Sequence, residues 1–387
     1  MITSRRLRSI LSLDDFEAAA RRYLPRPIFG YVSGGAETRW SLKDNRSAFA
    51  EWGFIPRVLK DVSARSQQTT LFGENFDAPF GIAPMGLGSL SAYRSDIILA
   101  RAAAKANIPM IVSGSSLIRM EECVAENSKA WFQAYLPGDD DRINAMLERA
   151  ERAGFRVLVL TADTAALANQ ENYIKSGFYS PLRVTPRLLW DGFVRPRWTS
   201  NLFAPTLLRH GLPHFENSQA ARGSSVLARQ INAEFASRGN MNWKQVKLMR
   251  KRWQGRFVIK GILHEEDARL AREHGADGII LSNHGGRQLD GAIAPLRALE
   301  KIVPLAGDMT VMLDSGVRRG SDVLKALALG AKFVFVGRPF NYAAGIAGEA
   351  GVLHAVTLLK EEVDRNMAML GATSLSEVEP GCLMRVR

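Results

Sequence analysis

Eight short apolar runs recur along this chain, and their spacing limits the architectures open to it. They cover 79–83, 110–112, 130–135, 156–160, 257–259, 278–281, 310–313 and 333–336. Each is too short for a stable helix and reads as a buried strand. Between most of them lie stretches with apolar residues at helical spacing, clearest at 96–106, 265–274 and 321–329. Repeated strand–helix units imply a parallel sheet. Eight of them imply an α/β fold, a (β/α)8 TIM barrel, with a long insert after strand 4. The rival is a doubly wound sheet. It should carry a Gly-rich turn after its first strand and an acidic residue further on, and no convincing one is present.

A barrel places its chemistry at the C-terminal ends of its strands. Strand 1 ends in Pro84, Met85 and Gly86, and strand 2 in Ser113. Strand 3 carries Gln133 and Tyr135, strand 4 ends in Thr161 and Asp163, and strand 5 in Lys260. Strand 6 opens into Ser282-Asn283-His284-Gly285-Gly286-Arg287-Gln288-Leu289-Asp290. A His and an Arg three residues apart in a tight loop can take a proton from a small anion and grip its carboxylate. Strand 7 ends in Asp314-Ser315-Gly316-Val317-Arg318, and strand 8 in Gly337-Arg338-Pro339. Gly-rich backbone beside arginine after strands 7 and 8 suits a phosphate.

The Ser282–Asp290 stretch resembles the active-site signature of the FMN-dependent L-2-hydroxy acid dehydrogenases and oxidases, whose members act on lactate, mandelate or glycolate. The likeness runs from about Asp14 to about Glu377, and 29–36 looks like the family's N-terminal tyrosine motif. The resemblance implies a single FMN-binding domain over 1–387. Pro84, Met85, Gly86, Ser113, Gln133 and Thr161 would line the isoalloxazine ring, with Ser282 beside them. Lys260 would stabilise the reduced anionic flavin. Asp314, Ser315, Gly316, Arg318, Gly337 and Arg338 would hold the ribityl phosphate. His284 would be the base and Asp163 its orienting partner. Arg287 would bind the substrate carboxylate, and Tyr31 and Tyr135 would donate to substrate oxygens. The implied reaction oxidises an L-2-hydroxy acid to the 2-oxo acid. His284 would remove either the α-proton or the hydroxyl proton.

One position departs from the family. An Arg is expected after strand 4 as a second carboxylate clamp, and Gln170 stands there. Gln keeps donors but loses the charge and the fork. A charged hydrogen bond is worth roughly 1.5–3 kcal/mol, on the order of ten- to a hundredfold in activity. Either another cation, Arg119 or Lys175, replaces it, or the substrate is larger or lacks a free carboxylate. Ser115, where some members carry an aromatic, leaves room for bulk.

The insert, 179–243, mixes Leu188, Leu189, Trp190, Phe193, Trp198 and Phe203 with Arg183, Arg187, Arg195, Arg197 and Arg209. That mixture over 183–209 suits an anionic membrane interface, and 191–198 resembles the insert of the membrane-associated members. An active-site lid or a subunit contact is the plainer reading. With Gly86, where the oxidases tend to carry Ala, the insert favours a dehydrogenase passing electrons to a quinone-type acceptor. The chain would then be cytoplasmic, peripheral on the inner membrane. A soluble oxidase making hydrogen peroxide and a non-catalytic FMN-binding protein are the competing readings. The resemblance also implies a homo-oligomer.

Two cysteines exclude a disulfide framework, and the remaining histidines show no metal-ligand spacing. The net charge of +12 suits anionic substrates or a membrane surface. No basic run is interleaved with aromatics, so nucleic acid is not expected as a partner. No run of about 18 apolar residues predicts a membrane-spanning helix.

Overall fold

The computed structural model describes residues 7–229 and 237–386. The start of the chain (1–6), part of the expected insert (230–236) and Arg387 lie outside the described residues.

The eight expected runs form one parallel sheet. We number its strands β1 (Phe80–Ile82), β2 (Ile111–Ser113), β3 (Trp131–Ala134), β4 (Val157–Thr161), β5 (Arg256–Ile262), β6 (Gly278–Leu281), β7 (Thr310–Leu313) and β8 (Phe333–Val336). Neighbours pair in chain order, β8 pairs with β1, and a bridge between Ile82 and Met110 joins β1 to the start of β2. The sheet is thereby the closed (β/α)8 barrel. Helices Ser95–Lys105, Glu265–Glu273 and Gly320–Ala328 lie within a residue of the expected positions.

Strand β5 departs most from its expected span. Its apolar run stops at Ile259, but the strand continues through Lys260 to Ile262 across a bulge. Gly261 occupies the bulge at φ +104°, and a Cβ there would lie 2.7 Å from the Asp163 side chain. Bulges of this kind re-aim side chains beside active sites. Lys260 therefore sits inside the strand rather than at its end.

Side chains alternate across a strand, so every second residue faces the barrel interior. Ile111, Trp131, Val159, Val258, Ile280, Met312 and Phe335 pack together there. Two residues further along each strand stand Ser113, Gln133, Thr161, Lys260, Ser282, Asp314 and Gly337. The interior is thus apolar in its lower layers and polar or open at the top. The opposite end is stoppered by the hairpin of Thr69–Leu71 and Glu74–Phe76. Leu71 and Phe76 join the interior cluster, and the Phe72 ring lies 5.4 Å from that of Trp131.

Helix Arg338–Leu370 is long and apolar enough to cross a bilayer by composition, although polar residues interrupt its apolar stretch. It is broken at Ala347 and Gly348 and buries most of its apolar stretch against helices Leu13–Tyr23 and Ser95–Lys105. It is a core helix of the barrel wall.

The expected insert contributes helix Pro186–Phe193, on which no residue is buried, and the turns that follow it. Trp198 and Leu202 anchor this segment, and the Trp198 indole donates to the Leu90 carbonyl at 2.9 Å.

Candidate active site

A cavity of about 470 Å³ opens at the C-terminal ends of the strands. The loop after β6 shapes its centre. His284, Gly285 and Gly286 have φ of +57°, +67° and +70°. Three successive left-handed residues make a turn that few sequences tolerate. A Cβ on Gly286 would lie 2.5 Å from the Leu42 backbone nitrogen, so the second glycine is required twice over. Asn283 fixes the turn: its Oδ1 accepts from the Gly286 amide at 3.0 Å, and its side chain pairs with buried Asn45. The turn projects His284 into the cavity.

His284 Nδ1 lies 2.9 Å from Asp163 Oδ1, and its Nε2 lies 3.2 Å from the Tyr135 hydroxyl. Burial pushes the Asp163 carboxyl up, but the charges of His284 and Lys260 and the hydrogen bond from His284 outweigh it. Asp163 stays below the ordinary aspartate range and is an anion, able only to accept. Nδ1 must then carry a proton, and in the neutral imidazole the lone pair lies on Nε2, facing the cavity, where Tyr135 can donate to it. The arrangement can take up a proton at Nε2 and stabilise the resulting imidazolium from behind.

Lys260 is 3 % exposed and is held between Asp314 Oδ2 at 3.0 Å and Ser282 Oγ at 2.6 Å. A buried ammonium persists only with such partners. The Ser282 hydroxyl also accepts from the His284 amide at 3.0 Å, so one side chain ties the cation to the base loop.

Pro84, Met85, Gly86, Asp314, Ser315, Gly316, Arg318, Gly337 and Arg338 line the cavity. Ser113, Gln133, Thr161 and Ser282 are buried at the same level of the barrel and are not among the lining residues. Ser113 Oγ donates to Gln133 Oε1 at 3.2 Å, whereas Gln133 Nε2 and Thr161 Oγ1 are buried without a hydrogen-bond partner. Buried polar atoms are almost always paired, so these two mark places where a ligand would supply the missing partner. At the far end, Arg318 is buried and Arg338 half-buried. Burial, reinforced by nearby Arg46 for Arg318 and by Arg287 for Arg338, weakens both guanidiniums, and Arg338 falls to about 10. Arg318 has Asp14 at 3.7 Å, and two guanidiniums this enclosed side by side suit an anion. A flavin mononucleotide, polar at its ring edge and anionic at its phosphate, fits this donor set. Arg338 does more than the sequence suggested: its Nε and Nη2 also donate to the carbonyls of Val32, Gly34 and Gly285, clamping helix Arg26–Ser33 onto the His284 loop.

That helix brings Tyr31 to the opposite wall. Its hydroxyl is 3.4 Å from the Gly86 carbonyl, and burial raises it to about 12. Arg287 donates to the carbonyls of Val32 and Tyr31 at 3.1 and 2.8 Å and stacks over the rings of Tyr31 and Tyr173 at 4.7 and 5.2 Å.

Gln170 lines the cavity, with its Nε2 3.5 Å from the Arg287 carbonyl. Neither cation expected to replace it does so. Lys175 pairs with Glu171 one helical turn away on the exposed face, and Arg119 caps helix Met120–Glu126 beside Glu121. Neither lines the cavity. Arg238 does, with its guanidinium 4.2 Å from the centre of the Tyr135 ring. An Arg so far along the chain from Gln170 carries no sequence signal. Tyr173 and Phe178, which pack on Tyr31, were also missed, although Tyr173 follows Gln170 by three residues, one helical turn.

Comparisons with known proteins find relatives over nearly the whole chain. The family model described as FMN-dependent dehydrogenase matches residues 20–385. The (S)-mandelate dehydrogenase of Pseudomonas putida is 36% identical over 382 residues, 97% of this chain and 94% of that protein. An L-lactate dehydrogenase of Pseudomonas syringae pv. syringae is 38% identical over 381 residues, 97% and 99% of the two chains. Among solved structures, that of the monotopic membrane protein (S)-mandelate dehydrogenase superposes with a TM-score of 0.89 at 36% identity, covering 97% of this chain and 99% of the other. A mandelate oxidase structure with (S)-2-phenylpropionate gives 0.79 at 33% identity, covering 97% and 98%.

Proposed function

The chain belongs to the FMN-dependent dehydrogenase family, and from that premise we propose that it oxidises an L-2-hydroxy acid of the lactate or mandelate type to the 2-oxo acid. The observation that carries the reading is the Asp163–His284–Tyr135 chain of hydrogen bonds facing a cavity that also holds Arg287. The unit that does this is the barrel with the segment 179–243 inserted in it.

FMN, when bound, accepts the two electrons of the oxidation. Gln133 and Thr161 would meet the ring edge, Lys260 would supply positive charge beside it, and Arg318, Arg338 and the Ser315–Gly316 backbone would hold the phosphate. The remaining work belongs to the side chains on the substrate side. Arg287 holds the carboxylate of the acid. Tyr31 and Tyr135 donate to its oxygens. His284 takes the proton at Nε2, and Asp163 balances the charge that results.

The acceptor we assign is a quinone-type molecule drawn from a membrane on the cytoplasmic side. Leu189, Trp190, Phe193 and Leu208 are exposed, with Arg183, Arg187, Arg197 and Arg209 among them. An apolar surface rimmed by arginine favours anionic lipid. Ile174, Phe178 and Ser180 just before this segment line the cavity, so the same stretch of chain joins the lipid-facing surface to the site.

Anaerobic bleaching of the flavin tests the reading, with L- and D-2-hydroxy acids from lactate to mandelate. Bleaching by an L-acid is expected. Oxidised flavin under every acid would overturn it. Fast peroxide release in air would replace the quinone with oxygen and make the chain an oxidase.

A further inference from the structure

The substrate end of the cavity holds a polar atom that the chemistry above leaves unused. Tyr173 lines the cavity and is 4 % exposed, yet its hydroxyl has no hydrogen-bond partner. Such atoms are rare, because burial strips their water and returns nothing. The ring itself is firmly placed. Helix Glu171–Ser176 carries it, and Gln170 stands at the cap position of that helix. A Cβ on Gly34 would lie 2.5 Å from Cε1 of the ring, beside the carbon that bears the hydroxyl, so this close seat needs a glycine. The ring centre is 5.3 Å from that of Tyr31 and 6.1 Å from that of Phe178.

The Arg287 guanidinium lies over both phenols, 4.7 Å from the centre of Tyr31 and 5.2 Å from that of Tyr173. The three side chains form one cluster. Burial raises the Tyr31 phenol, and Arg287 and then Tyr173 are the next influences on it. What the Tyr173 hydroxyl lacks is an acceptor. Arginine only donates. Arg287 donates to the carbonyls of Val32 and Tyr31, and Arg338 to those of Val32, Gly34 and Gly285. These cations turn to the backbone and offer the phenol nothing to donate to. A carboxylate only accepts, and one drawn to Arg287 would arrive beside the phenol that flanks it. A hydroxyl donating to a carboxylate makes a charge-assisted bond.

We propose that Tyr173 is a substrate-binding residue whose hydroxyl donates to the carboxylate that Arg287 holds. The inference rests on the hydroxy-acid reading above. It adds a third phenol to Tyr31 and Tyr135, and it gives the acid a neutral donor at the end of the cavity where Gln170 also stands.

The test compares the FMN-loaded wild type with Tyr173→Phe, which keeps the ring and removes only the hydroxyl. Phenylacetate and hexanoate, which lack the reacting hydroxyl, are each titrated beside their neutral amides, and binding is read from the flavin spectrum. The acids should weaken by about tenfold or more, and by more than the amides do. The half-saturating concentration of any acid that bleaches the flavin should rise in parallel. With no acid present, the thermal midpoint of the variant should equal or exceed that of the wild type, because the lost hydroxyl had no partner. Unchanged acid affinity would overturn the role of Tyr173. So would a lower midpoint with acids and amides weakened alike, which makes the hydroxyl structural. Weaker FMN retention with acid affinity intact would also overturn it and assign the hydroxyl to the cofactor. If any of these occurs while a 2-hydroxy acid still bleaches the wild-type flavin, the hydroxy-acid reading stands and only Tyr173 falls. If the wild-type flavin is neither perturbed by the acids nor bleached by any hydroxy acid, both fall together.

Discussion

The two ends of the cavity are built in different ways. At the cofactor end, Lys260, Ser282 and Asp314 each stand two residues past an inward-facing apolar side chain, on strands fixed by their neighbours' ladders. Register alone places them, because a slip of one residue would turn a whole strand inside out. At the substrate end, Tyr31 comes from a short helix, Gln170 and Tyr173 from the loop and helix after β4, and Arg238 from the turn Ser237–Asn240. None of these is held by the sheet. On the function proposed above, the difference teaches that the barrel secures the cofactor chemistry, while peripheral segments are free to vary the substrate that meets it.

Substitutions at the two ends should therefore fail differently. The largest effect is expected from His284→Gln, which should slow anaerobic flavin reduction by about 10²–10⁴-fold, the usual worth of a general base, with FMN retained. Loss of flavin in that variant would mean that the base loop belongs to the cofactor end after all. Lys260→Met should act on stability instead. It leaves Asp314 buried without its cation, at a cost of about 3–5 kcal/mol, read as a lower thermal midpoint and weaker FMN retention. A stable, flavin-bound Lys260→Met protein with normal reduction would break the contrast.

Further out, Trp190→Glu with Phe193→Glu should abolish cosedimentation with anionic vesicles, removing roughly 1.5–3 kcal/mol per side chain of apolar contact. Flavin reduction by a soluble acid should not change, because neither residue lines the cavity. The smallest effect concerns a carboxyl away from both ends. Asp96, buried beside Ser95, is raised by burial from 3.8 to about 6. A raised carboxyl binds its proton more tightly in the folded chain, so stability is highest below about pH 4 on this account and declines as pH climbs through about 6. The total is about 3 kcal/mol. Denaturant midpoints across that range should show the decline, and Asp96→Asn should flatten it. A slope that survives the substitution would assign it to another group.

The same division governs what could be read in the chain before its structure was known. All eight strands were legible because each buries both faces, which leaves a continuous apolar run. Their polar ends followed from the barrel. The end of β5 did not, since Lys260 reads as a boundary until Asp314 is known to neutralise it. Arg119 and Lys175 were plausible stand-ins for a missing charge by proximity along the chain. Lys175 follows Glu171 by four residues, so a helix turns it to solvent. Arg238 was reachable by no such rule: it is 68 residues from Gln170 and is brought to the cavity by the tertiary fold.

The hairpin under the barrel has a kinetic consequence. With Leu71, Phe72 and Phe76 packed beneath the strands, the floor is sealed and traffic passes through the mouth. Whatever donates electrons and whatever collects them must then take turns at one doorway. An enzyme built so should release its oxidised product before the acceptor docks, giving parallel lines when reciprocal rates are plotted at several acceptor concentrations. Excess hydroxy acid should slow it by crowding the entrance.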